Sequence, residues 1–198
     1  LTAPVYVIGP CNQFGQREHF LILFSLPYIL SFARHLAGQT QSRCSSFAIG
    51  LAAGVGLALK PHYLLVPIAL EVYRIARGGC RRDTASADQL VFLFSLIVYG
   101  VVLLTVTPDY LTRILPYAME VYNVAYRNPL WINLFRFETV ALPLGAALHI
   151  ATRARQRAPW TGDVLFIASA CLFVAYVVQM KGWDYHLYPA SSCLALAY

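Results

Sequence analysis

Apolar positions along this chain gather into long blocks separated by short polar stretches, with no strand-like alternation. The blocks run from Phe20 to Ala37, Ser45 to Leu59, Leu64 to Ala76, Gln89 to Thr107, Trp131 to Ala151 and Val164 to Met180, and a seventh starts near Leu187. Blocks of this kind predict helices that are apolar on every side and cross a bilayer. The second and third blocks are short for a full crossing of about 20 residues. They are expected to form a helical pair meeting at or below the membrane surface at Lys60-Pro61-His62-Tyr63. The stretch 109–131 mixes aromatics with charges and is too polar to span. It is expected to form an interfacial amphipathic helix with Tyr110, Tyr117, Tyr122, Tyr126 and Trp131 at headgroup level.

Composition agrees with the pattern. Hydrophobic residues make up 59% of the 198, charged residues 12%, and mean hydropathy is +0.58. Soluble domains carry about 25% charged residues. That contrast excludes a disordered chain and a charged nucleic-acid-binding module, and weighs against an ordinary soluble enzyme. The expected fold is all-α: one polytopic transmembrane domain over residues 1–198, with about six to seven spans. The chain begins at Leu1 and ends within an apolar run at Tyr198, and Leu1 to Pro10 lacks the basic region of a signal peptide. We read it as a piece of a larger membrane domain, truncated at both ends, and expect it to be inactive alone.

The net charge of +6 changes the picture only through its distribution. Arg34, Arg43, Arg74, Arg77, Arg81, Arg82, Arg153, Arg155 and Arg157 fall in one set of loops, and Arg17, Lys60, Arg113, Arg127 and Lys181 in the alternate set. The positive-inside rule makes the first set cytoplasmic. The polar motifs of unusual composition then all lie on the outer face. The five cysteines, Cys11, Cys44, Cys80, Cys171 and Cys193, are dispersed without metal-ligand spacing and read as apolar fillers. Gly50, Gly54 and Gly56 carry small-residue spacing for close helix packing.

Three motifs could carry chemistry. Gln16-Arg17-Glu18-His19 offers a cation, a carboxylate and an imidazole at the entry to the first block: Arg17 for an anion, Glu18 and His19 for acid–base work or substrate contact. The competing reading is a charged helix cap at the membrane boundary. At Lys60-Pro61-His62 the proline breaks the helix. A lysine held there needs a partner such as a phosphate, unless it snorkels to the interface. Lys181 to His186 packs Lys181, Trp183, Asp184, Tyr185 and His186 together. Lys181 and His186 could hold a phosphate while Trp183 and Tyr185 stack on a sugar ring or prenyl chain, the alternative being an ordinary aromatic belt. Glu71, Arg136 and Glu138 fall inside apolar blocks; Glu71 has an obvious partner one turn on, in Arg74. His149 reads as a polar core residue. No Walker loop, HExxH pair or Gly-x-Ser-x-Gly elbow is present.

The Gly/Ala-rich segment ending in Ala-Leu-Lys-Pro-His (Gly50 to His62) resembles a region of the GT-C superfamily of multi-spanning glycosyltransferases, which includes protein mannosyltransferase-like and aminoarabinose transferase-like enzymes. Phe14 to His19 and Lys181 to Pro189 resemble bacterial members as well. The resemblance implies a bacterial inner-membrane enzyme with its site at the periplasmic face. It implies sugar transfer, hexosyl or pentosyl, from a polyprenyl-phosphate donor to a lipid, glycan or protein acceptor. Basic residues would hold the lipid phosphate, with Arg17, Lys60, Lys181 and His186 as candidates, and His19, His62, Trp183 and Tyr185 would contact the phosphate or the substrate. A carboxylate would activate the acceptor hydroxyl, with Glu18 and Asp184 as candidates. In the superfamily the catalytic acid usually sits on an outer loop upstream of where this chain begins. The expected partners are the donor, the acceptor and membrane lipids, and no nucleic acid. No cofactor is expected; a divalent metal stays open. The alternatives are a secondary transporter or flippase for lipid-linked or small anions, with Lys60, Arg136 and Glu138 lining a path, and a non-catalytic assembly or export subunit.

Overall fold

A computed structural model describes residues 16–77, 86–125, 128–131, 137–153 and 159–197. Among them lie eight α-helices and no strand. Helix α1 spans Arg17–Leu36, α2 Arg43–Leu57, α3 Leu65–Ala76, α4 Ala87–Thr105, α5 Leu115–Ala125, α6 Phe137–Thr152, α7 Pro159–Gln179 and α8 Asp184–Leu196.

Local chemistry sets the boundaries. Ser42 caps α2, its Oγ accepting from the Ser45 N–H at 3.2 Å. Pro61 forces its predecessor out of the helical region, so Lys60 is extended at φ −149°, ψ 137°. A 3₁₀ turn, Pro61–Leu64, then leads into α3. At the start of α4 the Gln89 side chain accepts from the Ser86 backbone N–H at 2.8 Å. Between α7 and α8 the chain reverses through two left-handed residues, Met180 at φ 51° and Gly182 at φ 64°. Glycine takes that conformation freely, methionine at a cost of about 1 kcal/mol. The turn is pinned from outside by Asn128, whose N–H donates to Met180 O at 2.7 Å and whose Nδ2 donates to Lys181 O at 2.6 Å.

Helix α1 is the hub, touching α2, α7 and α8; α4 packs on α2, α3 on α7, and α6 on α7 and α8. The core joins Leu21, Ile22, Ile29 and Phe32 of α1 to Leu57, Leu70, Leu165 and Tyr176. The small-residue spacing works as expected. A Cβ on Gly54 would stand 2.5 Å from Ser95 Cβ, and one on Gly50 2.8 Å from Val91 Cβ. On the other side of α2, a Cβ on Gly56 would stand 2.9 Å from Phe24 Cβ. Bare backbone on both sides lets α2 lie tight between α4 and α1.

Among the described residues, three helices are long and apolar enough to cross a membrane: α1, α4 and Trp160–Gln179 of α7. Only 11% of the apolar window of α4 is buried. Leu90, Leu93, Phe94, Ile97 and Val101 point outward, more contiguous apolar surface than water accommodates. The remaining apolar helices are shorter, so six to seven crossings go beyond what helix length supports. In the stretch 109–131, a wide π-turn (Tyr110–Ile114) leads into α5, with Tyr110, Tyr117 and Trp131 exposed. Tyr126 and the Tyr122 side chain lie outside the described residues, as do Arg136, the Glu138 side chain, Cys11 and Cys80.

Candidate functional site

The three motifs singled out in sequence meet at one end of the bundle. The first turn of α1 supplies Glu18, the break before the 3₁₀ turn supplies Lys60, the last residue of α7 supplies Gln179, and the first turn of α8 supplies His186. Lys60 Nζ donates to Glu18 Oε1 at 2.6 Å and to Gln179 Oε1 at 2.7 Å. His186 Nε2 lies 3.4 Å from the same ammonium and 3.3 Å from Glu18 Oε1. The Tyr63 hydroxyl donates to that oxygen at 3.4 Å. Glu18 is 0% exposed, His186 3% and Lys60 8%.

Burial of this kind is costly for a charge unless a partner compensates it. Desolvation pushes Lys60 below its ordinary value, and the Glu18 charge and hydrogen bond act against that shift. Oε1 of Glu18 serves Lys60 and Tyr63, while Oε2 has no hydrogen-bond partner among the described residues. His186 Nε2 can accept from Lys60 when unprotonated or donate to Glu18 when protonated, and not both at once.

The other candidates surround this buried knot. Arg17 is exposed, one residue from Glu18. Lys181 is half-buried, its ammonium 5.2 Å from the centre of the Trp183 ring. Burial, with the charges of Lys60 and Arg17, lowers its pKa. His62 is also pushed down, by burial and by Lys60 and Lys181. His19 is buried with its ring 4.6 Å from that of Tyr188. Asp184 opens α8, and its side chain lies outside the described residues.

Two of these groups make contacts within the chain that the sequence did not show. Lys60 is no bare cation at the headgroups: its ammonium is turned inward to a carboxylate and an amide. Trp183 stacks on Tyr185 at a centroid distance of 5.6 Å, and His186 meets Trp183 tilted at 5.2 Å and Tyr185 edge-on at 4.5 Å. Sequence reasoning passed over Gln179 and assigned Tyr63 no role. Gln179 was visible as the one polar residue closing a long apolar block.

The opposite end holds two networks that sequence reasoning missed. In α7, Asp163 takes both Arg153 Nε and Nη2 at 2.6 Å, His149 Nε2 at 3.0 Å and the Tyr73 hydroxyl. At the start of α4, buried Asp88 takes the Ser31 hydroxyl at 2.7 Å and His35 Nε2 at 3.1 Å. Nearby, Arg74 pairs with Glu71 at 2.8 Å, as the i,i+3 spacing predicted. The loops between these helices had read as plain basic connectors. The structure instead ties α1 to α4, and α3 and α6 to α7, through single buried carboxylates.

Of the cysteines described, Cys193 is buried, Cys171 half-buried and Cys44 exposed, and no group of three metal-ligating side chains forms among the described residues. Compared with protein-family models, curated proteins and solved structures, the chain matches none.

Proposed function

We propose that this chain is part of the membrane domain of a glycosyltransferase that uses a polyprenyl-phosphate sugar donor. The observation that carries the reading is the convergence of Arg17-Glu18, Lys60-His62 and Lys181-His186, from three distant parts of the chain, at one end of an apolar bundle. On this reading that end is the outer, periplasmic face of a bacterial inner membrane, with the arginine-rich loops in the cytoplasm.

The surface beside the knot favours a lipid donor. A groove of about 650 Å³ runs between α2 and α4, walled by Phe47, Leu51, Val55, Phe94 and Val98, with Arg17 the one charged residue among its described lining residues. A polyprenyl chain would lie along this wall with its phosphate at Arg17, Lys181 and His62. Guanidinium and ammonium contacts to a desolvated phosphate are strong, charge-assisted hydrogen bonds. In transfer, the bond from the anomeric carbon to the phosphate oxygen breaks and one to the acceptor oxygen forms. The acceptor proton passes to a carboxylate, and polyprenyl phosphate leaves. Asp184, at the start of α8, is our candidate for that carboxylate. Glu18, fully buried, is a positioning residue: it fixes Lys60, and through Lys60 and Gln179 it fixes the geometry between α1, α7 and α8.

The test is transfer of radiolabelled sugar from a panel of polyprenyl-phosphate donors by the full-length protein in membranes. Transfer that Arg17→Ala and Lys181→Ala abolish, and that the far-end variant Arg34→Ala leaves intact, is the expected result. No transfer, together with a Lys181-dependent flux of lipid or anion across liposomes, would replace this reading with a transporter.

A further inference from the structure

A second cavity, of about 340 Å³, lies at the opposite end of α1 from Glu18. The last turns of α1 and α3 and the first turns of α4 and α7 surround it. Two helix C-termini and two N-termini meet here, so their end charges roughly cancel. What remains is set by side chains. Arg74, Arg77 and His35 line the cavity, and no carboxylate is among its described lining residues.

The acids of this end stand behind the cations. Glu71 takes Arg74 Nε, and its other oxygen accepts from Gln89 Nε2 at 2.5 Å. Asp88 is held by Ser31 and His35. Asp163 already has both oxygens on Arg153 at 2.6 Å. Arg77 shares Asp163 with Arg153 at 3.6 Å, an ion pair outside hydrogen-bond range. Its side chain is 43% exposed, and its guanidinium carbon lies over two rings, 5.4 Å from the centre of Tyr73 and 5.5 Å from that of Trp160. Such stacking pre-orients an arginine and leaves its edge donors for a planar or tetrahedral anion.

We propose that this cavity binds a phosphate group, held chiefly by Arg77 and Arg74, and that its source is the headgroup of an anionic phospholipid. The site is independent of the sugar-transfer reading and shares no residue with it. Its position fits the source: it lies at the ends of α1, α4 and α7, the three described helices long enough to cross a bilayer, where headgroups sit. Basic pockets between helices at that depth hold anionic headgroups.

Native mass spectrometry of the full-length protein in detergent, titrated with phosphatidylglycerol or phosphatidylcholine, tests this. Phosphatidylglycerol should bind about tenfold more tightly than phosphatidylcholine, the value of one good charge-assisted contact. Arg77→Gln should erase the difference, Arg77→Lys should keep part of it, and Arg113→Gln at the far end should leave it intact. Arg74→Gln, which leaves the Asp163 network whole, guards against a folding defect and should also weaken binding. Millimolar inorganic phosphate supplies the other arm. Failure to displace the lipid supports the headgroup source. Saturation of the site by phosphate alone, without lipid, keeps the phosphate site but overturns that source. Equal binding of the two lipids, or a preference that survives both Arg77→Gln and Arg74→Gln, overturns the proposal.

Discussion

Lys60 and Glu18, 42 positions apart in sequence, share a 2.6 Å hydrogen bond at the buried end of α1. Neither residue type is stable alone at such burial. The ammonium is also bound to Gln179 of α7 and faces His186 of α8, so one lysine ties the entry of α1 to the turn between α7 and α8. Pro61 makes this possible: it turns the chain at Lys60 and aims the side chain inward instead of along a continuing helix.

Removing one partner should therefore cost more than removing both. Lys60→Met leaves a buried carboxylate, and Glu18→Leu leaves a buried ammonium, each expected to cost about 3–5 kcal/mol. The pair Lys60→Met with Glu18→Leu should recover most of that loss. Unfolding in mixed detergent micelles, run as a double-mutant cycle, measures the coupling. Strictly additive losses would contradict a direct buried pair.

Gly54→Ala should destabilise the α2–α4 contact by about 1–3 kcal/mol, because its new Cβ stands 2.5 Å from Ser95 Cβ in a close-packed interface. Gly100→Ala on α4 meets nothing within 4 Å. It should instead stabilise the helix by up to about 1 kcal/mol. The same unfolding assay separates the two signs.

Asp163→Asn should loosen three helices at once, since this carboxylate holds Arg153 and His149 of the α6 end and Tyr73 of α3 against α7. We expect a loss of about 3 kcal/mol. Faster amide exchange should be confined to the ends of α3, α6 and α7, with the Lys60 end unchanged. Uniform loosening would contradict two separate polar layers.

The fold was legible where one residue type decides the local outcome. Apolar blocks placed α1 to α4 close to their observed bounds, Pro61 the break, and Gly50, Gly54 and Gly56 the tight packing of α2, while the block read from Val164 left out the first turn of α7 at Pro159. Arg17, Glu18, Lys60, Lys181 and His186 stood out because charge is rare in apolar surroundings. Their pairing did not, because it depends on which helices become neighbours. Glu18 and Lys60 looked like separate ligand contacts, whereas packing makes them each other's partner. Asp163 and Asp88 were overlooked for the same reason. Each sits near a helix start, where an acid is ordinary, and only the arrival of Arg153, His149, Ser31 and His35 from other helices reveals its role.

Anion binding at the Lys60 end should weaken at lower pH than an ordinary lysine would allow. The Lys181 pKa lies below its usual 10.5, chiefly through burial. Its contribution to binding is present below that lowered value and is lost as pH rises through it. Stability runs the other way: between the folded and unfolded pKa the unfolded chain binds more protons, so this group favours folding as pH rises. Polyprenyl monophosphate binding, measured against pH, should show an alkaline fall that Lys181→Arg shifts upward. An unchanged profile would remove Lys181 from the site.

The most direct test asks where the donor lies. A photoreactive residue placed at Val98, on the α2–α4 groove, or at Val178, on the exposed side of α7, would be irradiated in membranes with a radiolabelled polyprenyl-phosphate sugar. Strong labelling from Val98, weak labelling from Val178, and loss of the Val98 signal with Arg17→Ala is the expected result. Equal labelling at both positions, or labelling at Val98 indifferent to Arg17, would contradict a donor seated in this groove with its phosphate at the Lys60 end.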